Sequence, residues 1–278
     1  MKKVLLKILP LAIIAALMFT VTACTYTANG SVIRDVEVEF GYEKDGEAKT
    51  ASGKLSLYKT FAPKTYDHVL KLFKDGFYNN SAVTFDKSGT YAIIGAFDYT
   101  DGGYTDKTYD TTVEGEFENN GFKGRLSLKA GALVMLREPD TGKGATGKYD
   151  TAKATFAICL TDSPESITAK TYTVFGMADE DLLNGLKTAK TDCYADADGY
   201  TECLYKGDRN EDDVLTSDNR TEFYLKSGTY YKIVDGKLAE MDTDGDDETL
   251  YTKLKDAPYV DIVALPTTAI KLNSYKIK

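Results

Sequence analysis

Few residues in this chain could make or break bonds. Its 278 residues hold one histidine, His68, and four cysteines, Cys24, Cys159, Cys193 and Cys203. A nucleophile–base–acid relay would have only His68 as its base, and His68 lies in a segment of helical spacing, where an isolated surface histidine is the ordinary case. With no second histidine and no Cys-x-x-Cys pair, the ligands of a zinc site are missing. Glu240-Met241-Asp242-Thr243-Asp244-Gly245 imitates the start of a calcium loop, but Tyr251 stands where a bidentate glutamate is required, so solvated acidic turns are expected. Gly102-Gly103 reads as a turn between strand-like runs, and no glycine pattern of a phosphate cradle occurs. No metal and no cofactor is expected.

Cys24 differs from the other cysteines in its setting. Lys2, Lys3 and Lys7 precede an apolar stretch from Ile8 to Val21, too short for a comfortable membrane span, which ends in Val21-Thr22-Ala23-Cys24. That ending resembles the lipobox of bacterial lipoproteins. The resemblance implies a signal peptide over 1–23, a diacylglycerol on the Cys24 sulfur, a short tether over 24–30, and an extracytoplasmic protein held to the cell membrane by its lipid. The formal charge is −9, and losing three lysines and no acids with the signal makes the mature chain more negative still. Nucleic acid is therefore excluded as a partner class, and the membrane is touched through the anchor only. Of the remaining cysteines, Cys159 lies in an apolar run. Cys193 and Cys203, ten positions apart in a polar loop, are either a disulfide, which the compartment permits, or two free thiols.

About 255 residues remain to build a core, and they read mostly as strands. Val32, Val36, Val38 and Phe40 begin a series of short segments with period-two alternation, in a chain rich in tyrosine and phenylalanine and poor in proline. Two helices stand out. The first spans Pro63 to Lys74, with proline at its start and Gly76 past its end; the second spans Asp179 to Leu186, with acids in its first turn.

Three stretches in order carry a resemblance. Gly53-Lys54-Leu55-Ser56-Leu57-Tyr58, Ala62-Pro63-Lys64-Thr65 and Leu70 to Gly76-Phe77-Tyr78 resemble the opening of a cyclophilin. Gly131-Ala132-Leu133-Val134-Met135, Asp150-Thr151-Ala152-Lys153-Ala154-Thr155-Phe156-Ala157-Ile158 and Tyr172-Thr173-Val174-Phe175-Gly176 resemble later landmarks of that family. The resemblance covers about residues 31–190. It implies a mainly β fold: a closed antiparallel eight-stranded barrel capped by two α-helices, with a last strand near Ala269 to Ile277 so that 256–278 closes the domain. Closure agrees with the composition, because many short strands need their edges hidden.

Cyclophilins are peptidyl-prolyl cis-trans isomerases. They rotate the bond before proline against a resonance barrier of roughly 18–20 kcal/mol. In the family, an arginine from a Phe-His-Arg strand and a glutamine hydrogen-bond the prolyl region, and an apolar cup holds the ring. This chain departs there. Counting without gaps from Gly76-Phe77-Tyr78 places the arginine at Phe85, with Lys87 the one nearby cation. Isoleucine, Ile93, falls at the glutamine. Thr155 and Ala157 replace a glutamine and a phenylalanine. The implied groove is Phe85, Tyr91, Ile93, Leu136, Thr155, Ala157 and Tyr172, with Lys87 or Arg137 as substitute donors. Lysine lacks guanidinium's fork, and Arg137 also reads as a strand residue.

Residues 191–255 are the part least explained by the family and read as an acidic insertion. Asp196, Asp198, Asp208, Glu211, Asp212 and Asp213 lie in its first half, and Glu222 to Leu238 reads as a hairpin turning at Asp235-Gly236. Lys226-Ser227-Gly228-Thr229-Tyr230 repeats Lys87-Ser88-Gly89-Thr90-Tyr91. Three functional readings stay open: a weak isomerase assisting folding of unfolded extracytoplasmic proteins, a non-catalytic binder of proline-containing peptides, or a scaffold presenting the insertion's tyrosines to a partner.

Overall fold

The computed structural model describes residues 33–123, 126–138, 148–162, 167–206, 221–257 and 261–278. The expected signal peptide, Cys24 and its tether lie outside them, as do Asp208 and Glu211 to Asp213. Among the described residues no helix is long and apolar enough to cross a membrane.

Strand β1 (Ile33–Lys44) turns at Asp45-Gly46 into β2 (Glu47–Tyr58). Alternate side chains of β1, Val36, Val38, Phe40 and Tyr42, are buried, as period-two patterning requires. Helix α1 (Pro63–Lys74) follows and buries one face made by Tyr66, Val69, Leu70, Leu72 and Phe73. It ends in a Schellman motif: Gly76, at φ +78, donates to Phe73 O and Phe77 donates to Leu72 O. Glycine is needed there because the left-handed conformation penalises a Cβ.

The chain continues through β3 (Ser81–Asp86), β4 (Tyr91–Thr100), β5 (Gly103–Asp106), β6 (Ala132–Met135), β7 (Phe156–Cys159) and β8 (Val174–Ala178). Next come α2 (Glu180–Cys193), β9 (Thr201–Tyr205), β10 (Thr221–Lys226), β11 (Thr229–Val234), β12 (Lys237–Glu240), α3 (Glu248–Asp256), β13 (Ile262–Leu265) and β14 (Ile270–Ile277). Strands β3, β14, β1, β2, β8, β6, β7 and β4 pair in that order, and β4 pairs back to β3. This closes the antiparallel eight-stranded barrel that the sequence led us to expect.

The two expected helices are present, the second longer than its sequence signal. Asp179 caps α2 by accepting from Leu182 N at 3.0 Å, and Leu182, Leu186, Ala189 and Cys193 prolong one buried stripe beyond Leu186. Helix α2 lies against β2 closely enough that a Cβ on Gly185 would sit 2.8 Å from Ala51 Cβ. Helix α3 is a third, nine residues long with Leu254 its one fully buried side chain. So short an amphipathic segment carries little signal of its own and depends on tertiary packing.

Strand β3 joins the barrel to residues 191–265. One of its edges pairs with β4; along the other, Ala82 and Val83 pair with β14 while Phe85 and Asp86 pair with β13. From β13 the sheet runs outward through β9, β10, β11 and β12. The single hairpin expected over Glu222 to Leu238 is a three-stranded meander with two tight turns, Ser227-Gly228 and Asp235-Gly236, each with positive φ at both central residues. That is the type I′ pattern whose twist matches antiparallel strands. The repeated Lys-Ser-Gly-Thr-Tyr thus marks two hairpin connections, β3–β4 and β10–β11. One apolar core runs from Phe40, Phe85 and Phe156 in the barrel to Phe223, Tyr230 and Leu254 beyond it.

Candidate functional site

Pairing register decides which residues face out from the barrel. Thr84 lies opposite Ile93, Ile93 opposite Ala157, Ala157 opposite Val134, and Val134 opposite Val174. Directly opposed residues share a face, so these five form one row across the outside. The adjacent row, Phe85, Ala92, Ile158, Leu133 and Gly176, faces inward. Phe85 is accordingly 0% exposed in the interior core, with its ring 5.6 Å from that of Tyr194.

This corrects the position taken from the ungapped count. Phe85 is not a groove residue; Thr84 is the β3 side chain facing out beside Ile93. A one-residue difference in the β3–β4 connection reverses every side chain of a strand, because the strand period is two. Asp86 sets that connection. Its carboxylate, 1% exposed, accepts from Tyr91 N at 2.7 Å, from the Thr90 hydroxyl at 3.0 Å, and from the Ser88 hydroxyl. An aspartate ahead of Ser-Gly-Thr is a local turn signal that was available in the sequence.

Five expected groove residues do come together. Tyr91, Ile93, Leu136, Ala157 and Tyr172 belong to one apolar cluster on the outer face, joined by Leu126 and Ile167, which the sequence reading did not single out. All are buried, from 0% exposed at Tyr91 and Ala157 to 7% at Leu136. Thr155 lies near Gly95, to whose carbonyl its hydroxyl donates at 3.3 Å. The Thr84 hydroxyl is buried with no hydrogen-bond partner.

Of the two candidate cations, Arg137 packs against Tyr172 at the margin of this face and Lys87 is directed away from it. Lys87 points to the insertion, donating to Leu254 O at 3.2 Å and Lys255 O at 2.9 Å at the C-terminal end of α3. A cation there is favoured by the helix dipole, although burial holds its ammonium below the usual lysine range. Arg137 is 4% exposed; its Nε donates to Thr171 O and its Nη1 to Glu138 O, both at 2.8 Å. Its guanidinium carbon lies 4.3 Å from the Tyr172 ring centre, 5.1 Å from Tyr149 and 5.5 Å from Phe117. These contacts fit a planar cation packed among aromatic faces.

The remaining sequence candidates are structural. His68 Nε2 hydrogen-bonds Lys153 O, and its ring lies edge-on to Tyr109. Cys193 and Cys203 are free, buried thiols, so the disulfide alternative is set aside. Cys193 ends α2, where its carbonyl accepts from Thr267; Cys203 is on β9 opposite Phe223. Burial pushes Cys193 up to about 11 and Cys159 and Cys203 up to about 12. Among the described residues no group of three or more histidines, cysteines or acids could hold a metal. Several insertion tyrosines pack rather than project: Tyr230 stacks on Phe223, and the Tyr194 hydroxyl donates to Lys87 O at 2.6 Å.

Glu116 was missed altogether. It is 2% exposed, and its two oxygens accept from Lys64 N at 2.9 Å and Thr65 N at 2.7 Å. It caps α1 from a distant loop, where the adjacent Ala62 offers no side-chain acceptor. Proline at the start of α1 without a Ser, Thr, Asp or Asn before it was the one local hint.

A closed eight-stranded antiparallel barrel with an apolar cluster outside β4, β7, β6 and β8 defines the class. The chain belongs to the cyclophilin family: the sequence profile described as cyclophilin type peptidyl-prolyl cis-trans isomerase/CLD matches residues 48–194, just over half its length. No curated protein matches the chain. Among solved structures, it is similar to a cyclophilin type peptidyl-prolyl cis-trans isomerase of Cryptosporidium parvum at 21% identity, covering 60% of this chain and 88% of that one, with a TM-score of 0.39. A second structure of that protein, in the presence of the dipeptide Ala-Pro, is 19% identical over 59% and 88%, with a TM-score of 0.39. Cyclophilin AquaCyp293 from Hirschia baltica is 14% identical over 87% and 95%, with a TM-score of 0.34.

Proposed function

We propose that this protein is a lipid-anchored, extracytoplasmic cyclophilin-like protein that engages unfolded or proline-containing segments near the membrane with weak or lost isomerase activity. The location rests on the basic n-region, the apolar stretch and Val21-Thr22-Ala23-Cys24. The reduced activity rests on the row Thr84, Ile93 and Ala157. Where the family's mechanism needs a charged donor beside an amide, this row presents a short hydroxyl and two apolar side chains, and Arg137, beside Tyr172, donates to the Thr171 and Glu138 carbonyls. A hydroxyl supplies neither charge nor a bidentate fork, so a twisted prolyl amide gains little over the planar one.

A second reading, binding without catalysis and away from this face, is favoured by the burial of Tyr91, Ile93 and Ala157. No open surface remains on these side chains for a proline ring.

The test is cis/trans exchange of an Ala-Pro peptide by NMR, with an active cyclophilin as control and a Thr84→Arg, Ile93→Gln variant. Little acceleration by the wild type, with a gain in the variant, supports the proposal. Acceleration comparable to the control would overturn it. Peptide shifts without exchange enhancement would identify a binder, and no shifts at all would move recognition elsewhere on the molecule.

A further inference from the structure

A cavity of about 420 Å³ lies between the β4–β5 hairpin and the insertion sheet, within the size range of small-ligand sites. One wall is aromatic. Tyr104 meets Tyr99 edge-on at 5.0 Å and Phe97 at 6.2 Å, and its hydroxyl donates at 3.1 Å to Pro266 O in the β13–β14 link. The other wall carries two carboxylates. Glu202 lies opposite Tyr224 and Leu204 opposite Glu222, so Glu202 and Glu222 share one face as diagonal neighbours, roughly 7–8 Å apart.

Among the described residues these carboxylates have no cation of their own. Neither makes a hydrogen bond or ion pair with another described residue. The nearest lysines are committed to the aromatic wall. Lys206 Nζ stands 4.0 Å from the Phe97 ring centre and 3.6 Å from Asp106, and Lys271 Nζ is 5.7 Å from the Tyr99 ring centre. Glu202 is also partly desolvated, and burial together with the charge of Glu222 holds its carboxyl above the usual range. Paired like charges, one of them partly out of water, in a cavity that also carries the Tyr104 ring, are relieved by a positive group entering between them.

We propose that this cavity binds an ammonium or guanidinium group, supplied by a lysine or arginine side chain of a client or by a free organic amine. The proposal does not depend on the apolar cluster around Ile93, and it gives the insertion a recognition role. Leu204 and Leu265 suit the aliphatic stem of such a group, while the two carboxylates and the Tyr104 ring take its charged end.

The experiment uses the full chain in detergent, titrated by calorimetry with acetyl-lysinamide, acetyl-argininamide, neutral acetyl-glutaminamide and an Ala-Lys-Ala-Arg-Ala peptide. The expected result is binding of the cationic probes and not of the neutral one, weakened at least about tenfold in a Glu202→Gln, Glu222→Gln variant. Much tighter binding of the peptide than of the single amides would assign the site to client side chains; equal binding would assign it to free amines. Binding by the wild type should also weaken as salt rises, a readout independent of how the variant folds. Equal binding of the neutral probe, indifference to salt, or no binding of any cationic probe would overturn the proposal.

Discussion

Removing the Glu116 carboxylate should cost more than any surface change of the same chemistry. In Glu116→Ala, the backbone N–H groups of Lys64 and Thr65 lose acceptors at 2.9 and 2.7 Å, the first part-buried and the second buried. Each charge-assisted hydrogen bond contributes about 1.5–3 kcal/mol, and ordinary helix caps up to about 2 kcal/mol. With allowance for non-additivity, the substitution should destabilise the fold by about 3–5 kcal/mol, a large part of a typical domain stability of about 5–15 kcal/mol. For a domain of this size that lowers Tm by about 10 °C. Glu116→Gln should cost about half as much, because one oxygen still accepts while the amide nitrogen faces a donor. The control is Glu114→Ala. Glu114 pairs with the Lys64 ammonium at the surface, and such a pair contributes about 0–1 kcal/mol. Urea melts of the three variants, monitored by circular dichroism, give the comparison. If Glu116→Ala loses less than about 1 kcal/mol, or no more than Glu114→Ala, the capping argument is wrong.

Two further predictions concern buried titratable groups. Burial lowers Lys206 from its ordinary 10.5 to about 8, so between those values the unfolded chain holds a proton that the folded chain lacks, and stability rises with pH. Below pH 8 the desolvation cost is present in full. Lys206→Met should therefore raise the urea midpoint most at pH 7 and lose its advantage by about pH 10.5, and an advantage independent of pH would refute the assignment. Cys159, Cys193 and Cys203 are buried thiols pushed well above their ordinary values, so Ellman's reagent at pH 8 should find all three only after denaturation. Failure of Cys193 and Cys203 to react in denaturant without reductant would restore the disulfide.

Local patterns in the sequence determined much of this protein. Alternation in Val36, Val38 and Phe40 marked β1, and the proline and glycine flanking Pro63–Lys74 marked α1, because propensity, period and capping act within a few residues. The order of the landmarks from Gly53 to Gly176 gave the barrel before any pairing was known. That no arginine or glutamine stands in the β3–β4 region was legible too. Which β3 side chain faces out beside Ile93 was not. Only the paired sheet put Thr84 outside and Phe85 inside, since a strand's face is settled by its register with its neighbours. The fates of Lys87 and Arg137 were equally nonlocal. One is drawn to the end of α3, more than 160 residues away, and the other is enclosed by rings from three separate segments. Glu116 and the Glu202–Glu222 cavity also join parts far apart in the chain. Contacts of that kind leave no periodic trace along the sequence, because they form only when strands distant in the chain close into one sheet.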